Sequence, residues 1–195
     1  MMEWLETIDQ TIVISINSLH TPWLDEIMWL ISGKLTWIPL YIALLYYAYK
    51  KLGPLYCLYF ILILIASIVL SDLIASKVIK EIVGRYRPSH HLILEKKLHF
   101  YQISPGNLYQ GGQYGFVSSH AANFFALATF YGLVFSKIYP KALLYLFLIA
   151  CLVSFSRIYL GVHYLTDIIG GAIIGSSLAL MLWKTIWSKR IQPFI

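Results

Sequence analysis

The stretch Ser156-Arg157-Ile158-Tyr159-Leu160-Gly161-Val162-His163-Tyr164-Leu165-Thr166-Asp167 sets the terms of the fold. It joins two apolar runs, Ala142–Ile158 and Tyr164–Trp187, yet it carries an arginine, a histidine and an aspartate. Ionisable groups at the edge of an apolar bundle are costly unless they are paired or used. His163 and Asp167 stand at i and i+4, a spacing that on a helix puts one above the other. The carboxylate can then hold the imidazole tautomer and leave the other ring nitrogen facing a substrate. Arg157 adds a planar group with several donors, suited to phosphate. The competing reading is a helix-end network that only stabilises the structure.

Composition places these residues in a membrane. The chain has 195 residues, 59% of them hydrophobic and 12% charged, with mean hydropathy +0.70. Soluble domains carry about a quarter charged residues. The length suits a single domain, 1–195. Net charge is +6, but the basic residues are scattered between apolar runs and form no solvated stripe, which argues against a nucleic-acid partner. Cys57 and Cys151 both lie inside apolar runs and are read as inert core thiols, too few for a disulfide framework or a zinc site. Met1 to Glu6 carry two glutamates and no basic cluster, so no secretory leader is expected and the spans themselves should direct the chain to the membrane.

The fold expected is all-α: a polytopic membrane bundle of about five transmembrane helices with an interfacial helix before them. Residues 1–22 alternate apolar and polar side chains at helical spacing, as in a helix lying in the interface. A sixth span is the alternative reading of this segment. The five apolar runs are Ile27–Tyr49, Pro54–Ile79, Ala121–Phe135, Ala142–Ile158 and Tyr164–Trp187. Five spans place Lys50-Lys51, the Ser136–Lys141 turn and the C-terminal Lys184, Lys189 and Arg190 on one side, which the positive-inside rule makes cytoplasmic. Residues 80–120 and the 157–163 turn fall on the other side. Their basic residues weaken the rule, unless those residues have a use of their own.

Two further segments on that side supply such a use. In Lys80-Glu81-Ile82-Val83-Gly84-Arg85-Tyr86-Arg87-Pro88, a helix would bring Lys80 and Arg87 to one face about two turns apart, and Pro88 would end it. Two cations at the mouth of a membrane helix clamp an anion; alternatively they snorkel to water. Phe116-Val117-Ser118-Ser119-His120 precedes an apolar run. Small polar residues at a helix N-terminus offer free N–H groups and a favourable dipole to phosphate, and His120 can protonate a leaving oxygen. Read blandly, this is a serine cap beside an incidental histidine.

Together the three segments resemble the type 2 phosphatidic acid phosphatase superfamily. Its pattern is Lys, six residues, Arg-Pro; then Pro-Ser-Gly-His; then Ser-Arg, five residues, His, three residues, Asp. Lys80, Arg87 and Pro88 match the first part, and Ser156, Arg157, His163 and Asp167 the third. The second matches at Ser118 and His120, with Val117 and Ser119 where the family has Pro and Gly, which implies an altered pocket. The resemblance implies a metal-independent enzyme without a cofactor. His163 would attack phosphorus to form a phosphohistidine, Asp167 would orient it, and His120 would act as acid and then base. Lys80, Arg87, Arg157, Ser118 and Ser119 would bind the phosphoryl oxygens. The substrate would be a lipid phosphomonoester or pyrophosphate from the bilayer: undecaprenyl diphosphate first, then phosphatidylglycerol phosphate or a lipid A phosphate. The implied setting is a bacterial inner membrane, with the site facing the periplasm or outside. Phosphotransfer to another lipid, or binding and transport without catalysis, are the rival functions.

Other ionisable residues have their own expectations. Lys34 and Asp72, each near the outer end of a span, are expected to pair. His90, His91 and His99 are expected to be solvated loop histidines, and the loop from Ser89 to Gly115 a flexible lid or headgroup-contact region.

Overall fold

The computed structural model describes residues 3–191; residues 1–2 and 192–195 of the expected 1–195 domain lie outside them. The chain is almost wholly helical, as the apolar periodicity requires. Helices α1 (Glu3–Asn17) and α2 (Pro22–Ser32) come first. Thr21 caps α2, its hydroxyl accepting from the Leu24 N–H, and Gly33 in extended conformation ends it. The run Ile27–Tyr49 is therefore not one helix. Its first residues belong to α2, and α3 starts afresh at Ile38, with Pro39 in its first turn.

Helix α3 (Ile38–Leu73) folds back on itself at Gly53, whose φ of 74° only glycine adopts freely and which precedes Pro54. It continues through a π-helical stretch (Ile74–Ile79) into α4 (Lys80–Val83). After the outer loop, which holds a small hairpin of β1 (Gln102–Ser104) and β2 (Asn107–Leu108), come α5 (Ser119–Val134), α6 (Ala142–Tyr159) and α7 (Leu165–Leu182). Among the described residues, three stretches are long and apolar enough to cross a membrane: Leu35–Val83, Ala142–Tyr159 and Leu165–Ile191. The sequence reading counts about five runs. The difference lies in the fold-back within the first stretch and in α5, which is only 16 residues long.

Helix α5 is the axis of the bundle. Most of its side chains are buried, and it packs against α3, α6 and α7. Close approach to α7 depends on Gly171 and Gly175, one turn apart. A Cβ on either would run into the α5 backbone at Ser118 or Ala122. Away from the site the core is aromatic: Phe60 meets Phe130, Phe135 and Trp187 at ring separations of 5.6, 5.8 and 6.1 Å. Ile42, Leu62, Leu144, Leu148 and Ile173 point outward, as a lipid-facing surface demands. Cys57 is buried, but Cys151 is exposed on the outer face of α6, where its apolar run meets lipid rather than core.

Candidate active site

The end of α4 and the α6–α7 turn meet the start of α5 at one end of the bundle. Lys80 and Arg87 do not share a helix face as the spacing suggested. Gly84 caps α4 in the left-handed conformation (φ 60°), and Arg85-Tyr86-Arg87 leave it extended, with Tyr86 bridged to Tyr114. Arg87 is fixed by donating from Nε to the Tyr114 carbonyl (3.0 Å) and from Nη1 to the Val162 carbonyl (3.3 Å). Nor does His163 ride on a helix above Asp167. It sits in the turn before α7, because Tyr164 is the extended N-cap of that helix. Asp167, in the first turn, reaches back: Oδ2 accepts from the Tyr164 N–H (3.0 Å) and lies 3.1 Å from His163 Nδ1. The pairing expected from i and i+4 is thus present, built by a capping box rather than a helical face.

His163 and Asp167 are fully buried, and Arg87 and Arg157 nearly so. Burial, reinforced by the charges of Arg87, Arg157, Lys80 and His120, holds the His163 imidazole well below its ordinary range, so the ring is neutral. With Nδ1–H donated to Asp167, Nε2 keeps a free lone pair. Burial, and then Arg157, lower Arg87 to about 10.

The cations are held by hydrogen bonds to neutral groups. Lys80 donates to Ser119 Oγ (3.0 Å), and Arg157 donates to Tyr109 Oη (2.6 Å) and to Ser32 Oγ. Arg157 Nε is buried with no acceptor. Among the described residues no carboxylate forms an ion pair with Lys80, Arg87 or Arg157. Two buried arginines and the half-buried Lys80, hydrogen-bonded only to neutral acceptors, leave a place for an anion. Ser118 is partly committed: its hydroxyl accepts from the Ala121 N–H (3.4 Å) and its N–H donates to the Asp167 carbonyl (2.9 Å). What it can still offer a ligand is its hydroxyl proton. Ser119 and His120 open α5 in the first-turn positions whose N–H groups have no intrahelical acceptor.

Sequence reasoning missed the support of Asp167. Arg85 Nη1 lies 3.2 Å from Asp167 Oδ1, its Nη2 lies 2.8 Å from Asp9 Oδ2, and its guanidinium sits 3.9 Å over the Tyr164 ring. Asp9, fully buried, also accepts from the Thr166 N–H at 3.1 Å. The only signal available was an acidic residue in the middle of an amphipathic helix. Ser32 and Tyr109, which hold Arg157, carried no signal at all.

Lys34 and Asp72 do not pair. Asp72 Oδ1 instead accepts from Asn123 Nδ2 (3.2 Å), and both Lys34 and Asp72 line a cavity beside His120. The outer loop is tied down. Asn17 donates to the His99 carbonyl (2.8 Å) and accepts from its N–H (2.7 Å), and Tyr101 Oη donates to Glu26 (2.9 Å). His99 is not simply solvated: Nε2 lies 2.8 Å from Asp25 Oδ2 and the ring stacks on His20 at 4.0 Å. The ligand atoms of His20, Asp25 and His99 lie within 4.8 Å of one another, a spacing that could hold a metal ion.

Residues 36–191 match the PAP2 superfamily. The chain belongs to that family. Two curated PAP2 relatives are both named lipid A 4'-phosphatase. The one from Porphyromonas gingivalis is 32% identical over 97% of this chain and 77% of its own length. The one from Bacteroides thetaiotaomicron is 34% identical over 90% and 75%. The fold is that of two crystal structures, each 22% identical with a TM-score of 0.67: the transmembrane PAP2 type phosphatidylglycerolphosphate phosphatase of Bacillus subtilis (99% of this chain, 90% of that one) and Aquifex aeolicus LpxE (91% and 95%). This PAP2 protein is an integral membrane lipid phosphatase.

Proposed function

We propose that this PAP2 phosphatase hydrolyses a lipid phosphomonoester through a phosphohistidine on His163. The observation that carries the reading is the trio of cations, half-buried Lys80 and buried Arg87 and Arg157, with no carboxylate ion pair among the described residues, beside a neutral, Asp167-bound imidazole. In the first step His163 Nε2 attacks phosphorus as the P–O bond to the lipid breaks, and His120 gives its proton to the departing oxygen. In the second, His120 takes a proton from water, whose oxygen attacks phosphorus as the P–N bond breaks and His163 is restored. The cations neutralise the charge spread over the phosphoryl oxygens in both transition states, the work a metal ion does elsewhere.

The names of the curated relatives favour a lipid A phosphate over the undecaprenyl diphosphate that the sequence alone ranked first. An outward-facing site in a bacterial inner membrane fits the basic residues at Lys50-Lys51, Lys137, Lys141 and Lys184, far from the site end.

The test is phosphate release by detergent-purified protein in EDTA, beside His163→Ala. Release that survives the chelator and falls by about a thousandfold or more in the variant supports the reading. Full release by His163→Ala sinks it. Loss of lipid phosphate without free phosphate points to transfer onto another lipid.

A further inference from the structure

The search for a second function leads back to the wall of the site. A cavity of about 490 Å³ opens beside His120 between α5 and the two limbs of α3. Its deep part is apolar, lined by residues such as Leu44, Phe60, Leu64 and Leu127. Its polar residues include Lys34, Asp72 and Asn123. Asn123 stands at i+3 from His120, on the same face of α5. Its amide donates to Asp72, while Oδ1 is buried with no partner. Asp72 Oδ2 accepts from the Ser76 hydroxyl at 3.5 Å. Lys34 forms no ion pair among the described residues.

A buried acceptor without a donor is destabilising, and in a substrate pocket it is met by the ligand. His120 protonates the leaving oxygen, so the leaving group occupies the cavity that His120 lines. We infer that Asp72 and Asn123, with Lys34, read hydroxyl or amide donors on the headgroup next to the scissile oxygen, and that the apolar floor takes an acyl chain. The occupant is a sugar- or polyol-headed lipid. A prenyl phosphate is disfavoured, because the methylene beside its phosphate has no donor and would leave Asn123 Oδ1 unmet. One ammonium and one carboxylate also leave these groups without net charge, which suits a neutral headgroup better than a second phosphate.

The inference rests on the proposed phosphatase chemistry, and its test separates the two. The probes are a diacyl glucosamine phosphate and farnesyl phosphate. Wild type should favour the glycolipid in kcat/KM by about tenfold or more. Asn123→Leu and Asp72→Leu should each cut that ratio about tenfold. A wild-type preference for farnesyl phosphate, or a ratio indifferent to both leucines, overturns the inference. Binding of the dephosphorylated pair, diacyl glucosamine against farnesol, to the wild-type protein measures the same preference without turnover. It therefore decides the headgroup question even if His163→Ala kept full activity or the leucine variants failed to fold.

Discussion

Asp9, Arg85 and Asp167 form a line of alternating charge that ends against the neutral imidazole of the proposed nucleophile, His163. Arg85 divides its attraction between two carboxylates, so Asp167 is held in place without surrendering all its pull on the His163 proton. Asp9→Ala leaves Arg85 half unpaired in a buried site, and should cost about 3–5 kcal/mol in thermal unfolding of the detergent-solubilised protein. Asp9→Asn, which removes the charge and turns one of the two accepting oxygens into a donor, should lower kcat more than it raises KM and move the pH profile, with Asp9→Glu recovering part of the loss. A change in folding yield alone, with kcat and pH profile unmoved, would reduce Asp9 to a structural residue. His163 makes a second prediction. The folded protein refuses a proton that the unfolded chain accepts below about pH 6.5, so acid favours unfolding and stability falls as pH drops through that value. Melting curves between roughly pH 7.5 and 5.5 should show a shallower acid slope in His163→Asn than in wild type.

At the scale of elements, α5 and α7 are fitted backbone to backbone, and the site depends on that fit. The Ser118 N–H reaches the Asp167 carbonyl across the same seam where Gly171 and Gly175 face Ser118 and Ala122. Gly175→Val should wedge the helices apart, destabilise the bundle by about 1–3 kcal/mol and depress phosphate release. Gly112→Ala, where a Cβ would meet nothing within 4 Å, should do neither. Melting temperature and initial rate on the same preparations check both. The seam was legible in principle as Gly-x-x-x-Gly inside an apolar run. The elements read wrongly share one cause, local breaks whose effect depends on packing. Gly33 cut α2 from α3, Gly84 turned Arg87 off its helix, and the Tyr164 cap put His163 ahead of α7 rather than on it.

Across the whole molecule, what the sequence disclosed is what an apolar chain makes conspicuous. Lys80, Arg87, His120, Arg157, His163 and Asp167 were visible because charge and imidazole are costly in this setting and recur at fixed spacings, and the structure brings them to one end of the bundle. Their supports were invisible. Asp9 lies 76 positions from Arg85, Ser32 lies 125 from Arg157, and no local pattern encodes such meetings. The PAP2 match begins at residue 36, yet α1 and α2 lie before it and supply Asp9, Asn17, Asp25 and Ser32 to the site end. The segment read as an interfacial helix also buttresses the end of the bundle that holds the candidate site.

That buttress has a bearing on how the protein comes into being. Asp9 leaves the ribosome well before its partner Thr166, which follows 157 residues later. Between them the chain must thread its apolar stretches into the bilayer. Until the last hairpin arrives, α1 lacks the Thr166 contact that helps to fix it against the bundle. Contacts this distant in sequence are slow to form and close late. The phosphatase is accordingly silent through its own insertion, and a half-threaded chain has no assembled site with which to attack the lipids around it.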